Sequence, residues 1–262
     1  TLATVDASTF VGNLLLDSTA MDYKVLMGTG NDMLIAGDAY GDNETISGGA
    51  GSDTVAVNFT TNTDVTREAT MTSVETLDAV FNASVSFEGN KVDDLATINL
   101  GTTNAVDLDP LSATGYKTGT AASTSRADFN RMDATLATVN FTANANQGLE
   151  VDYDAVFGVN PELTLNITGK TSTIGNAGGS SVRVINASTV NLNHNGSVAA
   201  TLANGLQVDD NLVGGHTTNV SVTNNSDADL TIASLGPAPI YFGTAIVDGN
   251  TVQNLSITST KA

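Results

Sequence analysis

The sequence predicts an all-β fold, and three observations point to it. Thr, which favours strands, and Asn, Asp and Gly, which favour turns, are all abundant. Short segments alternate apolar residues with Thr, Ser or Asn, which is the period-two pattern of half-buried strands. Several of these segments begin at a fixed interval, as in proteins built from stacked coils. The favoured architecture is a solenoid, with a β-sandwich as the alternative.

The chain is strongly acidic. Its 262 residues include 28 Asp and Glu against 9 Lys and Arg, which gives a formal net charge of −19. This charge opposes electrostatic binding to nucleic acid, and no apolar run approaches the ~20 residues that cross a bilayer. The absence of cysteine excludes disulfides and thiolate metal sites. Such a composition fits an exported bacterial surface protein, and the start at Thr1 without an apolar leader predicts a piece of a longer chain.

Short strands are predicted along the whole chain. A Gly- and Asp-rich stretch, residues 27–57, differs in character from everything after it. We therefore expect two domains, residues 1–58 and residues 59–262, with an excursion near residues 115–136 in the second. The predicted strand segments are 2–5, 10–16, 23–26, 96–100, 163–167, 182–185, 220–222, 230–232 and 255–257.

Four strand segments recur at a constant spacing. They begin at Leu163, Val182, Thr201 and Val220, and the interval between them is the same each time. A fixed interval of this size suggests one solenoid coil per interval, stacked so that the inward side chains form a continuous core. The alternative is a β-sandwich, whose strands also recur at roughly 8–12 residues.

One segment, residues 125–136, has the pattern of a helix. Ser125 and Asp128 resemble a capping box, and the apolar Phe129, Met132 and Leu136 would share one helix face. The alternative is a loop excursion between strands. Neither interpretation assigns chemistry to this segment.

Two glycine-rich turns carry the chemistry. Residues 48–56 match the nonapeptide G-G-x-G-x-D-x-U-x at every fixed position, and residues 27–35 match it except that Met27 replaces the first Gly. Glycine permits the positive φ that points successive carbonyl oxygens inward, and the Asp adds a carboxylate. Two stacked turns would together supply the six or more hard oxygens that Ca²⁺ requires.

The spacing of these turns predicts a shared site. A degenerate turn lies between Asp32 and Asp53, and alternate turns of a β-roll face the same side. The two flanking turns would therefore stack around one Ca²⁺, while Asp38, Asp42 or Glu44 of the middle turn would complete that site or hold a second ion. The alternative is a turn cluster without metal. The predicted metal-binding residues are Gly28, Gly30, Asp32, Asp38, Asp42, Gly48, Gly49, Gly51 and Asp53.

Residues 1–58 resemble the repeats-in-toxin (RTX) family of calcium-binding proteins, and the wider layout is similar to bacterial surface-layer (S-layer) proteins exported by type I secretion. Residues 1–12 resemble the lead-in to the glycine repeats of such proteins, and residues 73–78, Ser-Val-Glu-Thr-Leu-Asp, resemble a phrase that often follows them. The resemblance implies a short RTX-like β-roll followed by a right-handed parallel β-helix. It also implies Ca²⁺ as the cofactor and other copies of the chain as partners in a lattice on the bacterial cell surface or in a biofilm matrix. Attachment to lipopolysaccharide would use another region.

The predicted function is therefore structural rather than enzymatic: a subunit, or a fragment of one, of a calcium-dependent S-layer or extracellular lattice. The alternatives are a module of an RTX adhesin and a β-helix enzyme that processes polysaccharides. The nine basic residues do not cluster, and the sequence has no nucleophile elbow, P-loop or H-E-x-x-H motif. His194 and His216 lie in predicted turns and are expected at the surface.

Five further Asp pairs are candidate calcium ligands, and the alternative is that they are solvated turn residues. Bound Ca²⁺ would relieve the repulsion within a chain of this charge, which predicts a loss of stability in chelator. The pairs are Asp93/Asp94, Asp107/Asp109, Asp152/Asp154, Asp209/Asp210 and Asp227/Asp229.

Overall fold

A computed structural model describes residues 3–18, 23–60, 66–81, 85–101, 127–142, 148–154, 159–169, 171–175, 181–209, 217–233, 240–242 and 252–260. These residues form 24 strands and no helix. No helix that could cross a bilayer is therefore found among them. The strands are β1 Ala3–Asp6, β2 Leu15–Asp17, β3 Tyr23–Leu26, β4 Met33–Gly37, β5 Thr45–Ser47, β6 Thr54–Phe59, β7 Thr66–Arg67, β8 Thr70–Thr72, β9 Thr76–Phe81, β10 Ser86–Glu88, β11 Thr97–Leu100, β12 Ala127–Met132, β13 Thr138–Phe141, β14 Leu149–Tyr153, β15 Glu162–Ile167, β16 Thr173–Ile174, β17 Val182–Ile185, β18 Thr189–His194, β19 Ala200–Leu202, β20 Leu206–Asp209, β21 Thr217–Asn224, β22 Leu230–Ile232, β23 Ile240–Phe242 and β24 Val252–Ser259.

The strands stack into four parallel sheets. The long sheet has ten strands in the order β2-β4-β6-β9-β11-β13-β15-β18-β21-β24, and it runs the length of the described chain. The seven-stranded sheet has the order β23-β20-β17-β14-β12-β10-β7, the N-terminal sheet β1-β3-β5-β8 and the C-terminal sheet β16-β19-β22. Every strand pair in these four sheets is parallel. The all-β, solenoid-like prediction is confirmed, and the sandwich alternative is not observed.

The coils change shape along the chain. The first coils are short because they alternate between the N-terminal sheet and the long sheet, so that Met33 pairs with Leu15 of the coil before it. The last coils are longer because they add strands of the C-terminal and seven-stranded sheets before Asn219 pairs with Thr189. The long sheet is continuous between these parts, because β6 pairs with β9 along its whole length.

The prediction that the constant interval corresponds to one coil is wrong. Leu163 lies in the long sheet, Val182 in the seven-stranded sheet and Thr201 in the C-terminal sheet. Between Val182 and Thr201 the chain passes through the long sheet once, as β18, and Val220 belongs to the coil after that. The interval therefore separates faces of the solenoid rather than successive coils. Each face has its own apolar alternation, so equal spacing between faces resembles a coil repeat in the sequence.

Inward side chains form one continuous core along the solenoid. In the long sheet, one column places an aliphatic side chain on an aliphatic side chain in each successive coil, and its middle members are fully buried. Burying each such side chain contributes roughly 1.5–3 kcal/mol, which is why the coils need an unbroken apolar column. The column is Leu16, Leu34, Val55, Leu77, Ile98, Val139, Leu165, Leu192, Val222 and Ile257.

The predicted helix over residues 125–136 is wrong where the structure describes it. Residues 127–132 are strand β12, which pairs with β10 and β14. The pairing with β14 shifts register between Phe129 and Met132, and Arg131 has a left-handed φ of 53°. Because of this bulge, Phe129 and Met132 both point into the core although they are three residues apart. That separation is the one expected on a helix face, which is why the sequence resembled a helix. Residues 115–126 of the predicted excursion lie outside the described residues.

Asparagine side chains form a ladder on the outer face of the long sheet. The Nδ2 group of each Asn donates to the carboxylate or amide oxygen of the preceding coil, at distances of 2.7–3.2 Å. Because these residues are in register, one side chain's donor always meets the next one's acceptor. The ladder is Asp78, Asn99, Asn140, Asn166 and Asn193.

Candidate metal centre

The two glycine-rich turns stack directly on each other. Both lead from the N-terminal sheet into the long sheet, so they lie on the same edge of the solenoid. Thr29 bridges to Ala50, and the backbone N–H of Ala50 donates to the carbonyl oxygen of Gly28 at 3.0 Å. The N–H of Gly30 donates to the carbonyl oxygen of Ala50 at 2.8 Å. The structure thus brings these turns together as the spacing of Asp32 and Asp53 predicts.

Close stacking explains the glycines of both turns. At Gly51, φ is +138°, and an added Cβ would collide with the carbonyl oxygen of Gly30 in the coil below. At Gly48, an added Cβ would collide with the carbonyl oxygen of Ser73 in the coil above. Gly28, Gly30 and Gly49 meet backbone of neighbouring coils in the same way. These residues are therefore required by the stacking whether or not an ion is bound.

A third turn, missed by the motif search, belongs to the same stack. Val11 bridges to Thr29, so that Gly12 (φ +108°) lies below Gly30 and Asn13 below Asn31. The side-chain oxygen of Asn13 accepts the backbone N–H of Asn31 at 2.9 Å. Residues 11–13 thus form the first rung of the turn stack. The signal in the sequence was the pair Gly12-Asn13, which is repeated as Gly30-Asn31 in the next turn.

Three carboxylates follow one another at this edge: Asp32, Asp53 and Glu75, here called the carboxylate column. Each immediately precedes a strand of the long sheet, and the strands that follow are paired in register. Asp53 Oδ1 accepts the backbone N–H of Asp32 at 2.7 Å, and Glu75 Oε2 accepts that of Asp53 at 2.7 Å. Asp32 accepts the N–H of Leu14 at 2.8 Å and that of Gly28 at 3.1 Å. Successive coils are therefore linked by carboxylate-to-backbone hydrogen bonds.

Asp53 is the most constrained member of the carboxylate column. Its side chain is fully buried, and its Oδ2 atom has no hydrogen-bond partner in the described structure. Burial raises the pKa of the Asp53 carboxyl, the N–H of Asp32 opposes this, and the charges of Asp32 and Glu75 raise it further. A buried carboxylate oxygen without a partner is costly, and this is a position that a cation would satisfy.

Glu75 is a candidate ligand that the nonapeptide did not assign. It lies in the segment 73–78 and occupies the position of Asp32 and Asp53 in the next coil. The spacing contained a signal, because the separation of Glu75 from Asp53 is almost the same as that of Asp53 from Asp32. Its turn has a left-handed Ser73 (φ 52°) where the earlier turns have glycine, so the motif does not extend to it.

The predicted ligands of the middle turn lie elsewhere. That turn leads from the long sheet back to the N-terminal sheet, so it occupies the opposite edge from the carboxylate column. Asp38 forms an ion pair of 3.1 Å with the buried Arg67 and also accepts both N–H and hydroxyl of Thr60. Asp42 accepts the backbone N–H of Glu68 at 3.3 Å. These carboxylates do not join Asp32 and Asp53 in one site.

Glu44 of the middle turn is almost fully buried. Its Oε2 accepts the backbone N–H of Gly41 at 2.7 Å, which closes the turn from inside. The pKa of the Tyr23 phenol is raised by burial and secondarily by the Glu44 charge, and that of Tyr40 is raised by burial, by Tyr23 and by Glu44. The structure thus places Glu44 in the core, with Asp38 and Asp42 near the surface of that edge.

A second acidic cluster lies on the outer face of the seven-stranded sheet. Arg183 binds Asp209 at 2.6 Å and Glu150 at 3.3 Å, bridging three neighbouring coils. Burial and then the charge of Glu150 raise the pKa of the Asp152 carboxyl to about 6, although Arg183 opposes this. Asn186 donates to Asp152 at 3.2 Å. This cluster has its own cation in Arg183, whereas no Lys or Arg of the described residues is paired with the carboxylate column.

Among the described residues, the remaining Asp candidates form no group of three or more acidic side chains that could hold a metal ion. Asp94 has φ of 72° at the position of Ser73, which continues the left-handed positions of the turn stack. Asp227 is an exposed turn residue. His216 and three acidic candidates, Asp107, Asp109 and Asp210, lie outside the described residues. Within the described part of the chain, no group of three or more His, Asp or Glu side chains forms a ready-made metal site.

The surface position predicted for His194 is wrong. Strand β18 points Val190, Leu192 and His194 inward, and the imidazole is fully buried. Its Nδ1 lies 3.0 Å from Asn224 Oδ1, and its Nε2 lies 3.0 Å from the carbonyl oxygen of Val198. The strand continues further than the Asn-rich sequence suggested, and period-two alternation then fixes the inward direction.

The carboxylate column offers oxygen atoms of the kind that a hard cation binds. Carboxylate oxygens that accept one N–H each retain lone pairs for a metal, and the adjoining glycine turns carry backbone carbonyl oxygens. Ca²⁺ takes six to eight such oxygens in a flexible geometry. The turns would supply carbonyl oxygens, because three carboxylates alone do not suffice. Comparison with protein-family models, with curated proteins and with solved structures found no match to this chain.

Proposed function

We propose that this chain is a structural, non-catalytic subunit, or part of one, of a calcium-dependent bacterial S-layer or extracellular matrix lattice. The observation that carries the proposal is the carboxylate column on stacked glycine turns, with the buried and unpartnered Oδ2 of Asp53 at its centre. Asp32, Asp53 and Glu75 would bind the ion, and backbone carbonyl oxygens of residues 28–32 and 48–53 would complete its coordination.

Calcium would act first on folding. Three carboxylates in successive coils repel one another, and no Lys or Arg is paired with them in the described structure. The ligands converge only when the coils are stacked, so the free energy of ion binding becomes free energy of folding. In a calcium-poor cytosol the chain would remain loosely folded, and it would fold after export into millimolar calcium. This sequence of events suits type I secretion to the cell surface.

The regular solenoid supports a structural role. A stack of coils buries one core and presents long sheet faces of repeated chemistry, which suits repeated contacts with other copies. The outer face of the long sheet carries Asn and Thr ladders rather than a pocket built around one reacting group. Assembly of copies would then be the second effect of calcium, because neutralising part of the −19 charge lowers repulsion between chains.

The test is to follow binding and assembly together. Calorimetry with Ca²⁺ and with Mg²⁺ measures binding, and light scattering with electron microscopy measures assembly, in calcium and then in chelator. We expect calcium binding in the micromolar to millimolar range and ordered assemblies that dissolve in chelator. Asp32→Asn should weaken calcium binding at least about tenfold, a loss of one charged ligand, whereas Asp227→Asn, a turn Asp outside the column, should not.

Two outcomes would contradict the proposal. If the wild-type chain binds no calcium at millimolar concentration, the carboxylate column is a hydrogen-bonding device only. If it binds calcium but remains a folded monomer in both conditions, the ion is a local staple, and a module of an adhesin becomes the better assignment.

A further inference from the structure

The outer face of the long sheet is nearly free of charge, although the chain as a whole is strongly acidic. On the eight strands from β6 to β24, two columns of outward residues run in register from coil to coil. A third column continues them at the strand ends, where backbone N–H groups donate to carbonyl oxygens of the preceding coil. The first column is Thr54, Thr76, Thr97, Thr138, Thr164, Asn191, Ser221 and Ser256. The second is Ala56, Asp78, Asn99, Asn140, Asn166, Asn193, Thr223 and Thr258. The third is Asn58, Val80, Gly101, Thr142, Thr168, Asn195, Asn225 and Thr260.

Asp78 is the single ionisable residue of these three columns, and Glu162, exposed at the start of β15, is a second outward carboxylate on the same face. Asp78 is 8 % exposed, and its carboxylate accepts the Nδ2 group of Asn99 at 2.7 Å. The outer face of the seven-stranded sheet contrasts with this, because it carries many charged side chains. Glu88 lies 4.0 Å from Arg131, and Arg183 binds Glu150 and Asp209. Two copies with a charge of −19 each would repel at such acidic surfaces. They can approach most closely where this charge is missing.

The face is also prepared for contact. In the Asn ladder each amide already donates within its own chain, and in the first column Ser221 donates to Asn191 at 2.6 Å. Amides that keep a hydrogen bond when water leaves lose less free energy on burial. Side-chain positions in the ladder are fixed before binding, so association costs less conformational entropy. Asn ladders are a known element of sheet-to-sheet contacts.

We propose that this Thr/Asn face, defined by the three columns above, is the contact surface between two copies of this chain, and the inference rests on the proposed lattice function. A polysaccharide fits the face less well, because none of its three columns contains an aromatic residue on which a sugar could stack. A second copy presents the same periodic array, so a two-fold contact places like columns against each other.

The size of the face suits a lattice contact. Eight rungs about 4.8 Å apart span roughly 34 Å, and three columns about 6.6 Å apart give a width of about 13 Å. Two copies would bury at most about 900 Å² in total by this estimate, which is below the range of about 1,200–2,000 Å² for stable isolated interfaces. Ala56, Asp78 and Val80 of the first rungs are already buried within the chain and add little to it. Such a contact is weak alone and becomes effective when many copies are engaged together.

The first test places charges on the face. Thr138 and Thr164 are neighbours in the first column, and Thr201 and Thr231 are neighbours on the outer side of the C-terminal sheet. We expect T138E/T164E to keep calcium binding and the wild-type circular dichroism, but to raise the critical concentration of assembly about tenfold or more. The control T201E/T231E carries the same added charge and should assemble like the wild type. Equal assembly of both variants would overturn the inference.

The second test does not depend on a lattice. The chain has no cysteine, so T138C and the control T201C each introduce one thiol for cross-linking with a short bis-maleimide. The inference requires covalent dimers at 138 in at least fivefold excess over 201. Equal yields of cross-linked dimer at 138 and 201 would overturn the inference. This test remains valid if T138E/T164E misfolds. Wild-type protein that forms no lattice but cross-links preferentially at 138 would contradict the proposed function and retain this contact.

Discussion

Replacing Asp53 by Asn should change the free energy of unfolding in opposite directions with and without calcium. The substitution preserves the shape of the side chain, and the Oδ1 position continues to accept the N–H of Asp32. It removes the middle charge of the carboxylate column. In chelator this relieves repulsion, whereas in calcium it removes a charged ligand.

The magnitude in chelator follows from the spacing of the coils. Asp32 and Glu75 lie one coil below and one coil above, about 4.8 Å away along the stack. Two charges about 5 Å apart repel by roughly 3 kcal/mol at an effective dielectric constant of about 20, and solvent and counterions screen part of this. A hydrogen bond to a neutral amide oxygen is weaker than one to a carboxylate by about 1 kcal/mol. We therefore expect Asp53→Asn to be more stable by about 1–2 kcal/mol in chelator.

In calcium, the coupling of ion binding to folding reverses the sign of the change in the free energy of unfolding. An ion present at about 100 times its dissociation constant stabilises the wild-type fold by about 2.7 kcal/mol. If Asp53→Asn loses most of this, the variant becomes the less stable protein by about 1 kcal/mol. Urea unfolding followed by far-ultraviolet circular dichroism, in chelator and in millimolar calcium, measures both differences. Asp227→Asn is the matched control and should show neither. A change of the same sign and size in both buffers would refute the assignment of Asp53 to an ion site.

Three further substitutions test other parts of the structure. Asn140→Ala removes two ladder hydrogen bonds and should lower the free energy of unfolding by about 2 kcal/mol, whereas Asn254→Ala at the exposed last coil should lower it by less than about 0.5 kcal/mol, both by urea titration. Gly51→Ala should cost at least about 2 kcal/mol at its left-handed φ, or prevent folding, as read from the urea midpoint. The pKa of Asp152 is raised to about 6, above its unfolded value of about 3.9, so the folded state binds the extra proton and stability rises as pH falls from 7 to 4. Asp152→Asn should flatten that part of the stability profile, by about 1 kcal/mol after allowance for solvent exposure, and an unchanged profile would contradict the assigned cause.

Local alternation predicted the strands well, because it reports only on one face of one strand. The segments 23–26, 182–185 and 230–232 are strands with the predicted bounds. The predicted strand 10–16 is wrong except at its end, because β2 begins at Leu15 and residues 11–13 form a turn of the stack. Arrangement of those strands was harder to predict, because any face of a three-faced coil produces the same period-two signal. The constant interval between segments therefore indicated a solenoid correctly and the coil length incorrectly.

The site was predictable as far as glycine marked it. Asp32 and Asp53 were identified by spacing, and their turns stack as expected. Glu75 was missed because its turn reaches the left-handed conformation with Ser73 rather than glycine. The partner of Asp38, Arg67, lies in β7, far along the chain from the middle turn, and such a long-range ion pair has no local signature in the sequence.

Calcium dependence should be confined to the first coils, because the interior of the turn changes at Glu75, the last member of the carboxylate column. The residues that directly precede Asp32 and Asp53 are Asn31 and Ser52, and both are exposed. The equivalent residues of the next two coils are Val74 and Leu95, and both are buried. A buried Val or Leu contributes roughly 1.5–3 kcal/mol to its own coil, so the later turns are held without an ion.

Hydrogen exchange in chelator should therefore rise first in residues 23–60, while the long sheet from β13 onward keeps its protection. Uniform loss of protection along the chain would show instead that calcium holds the solenoid as a single cooperative unit. The chelator would then act through the contacts between copies or through the whole stack rather than through Asp32, Asp53 and Glu75.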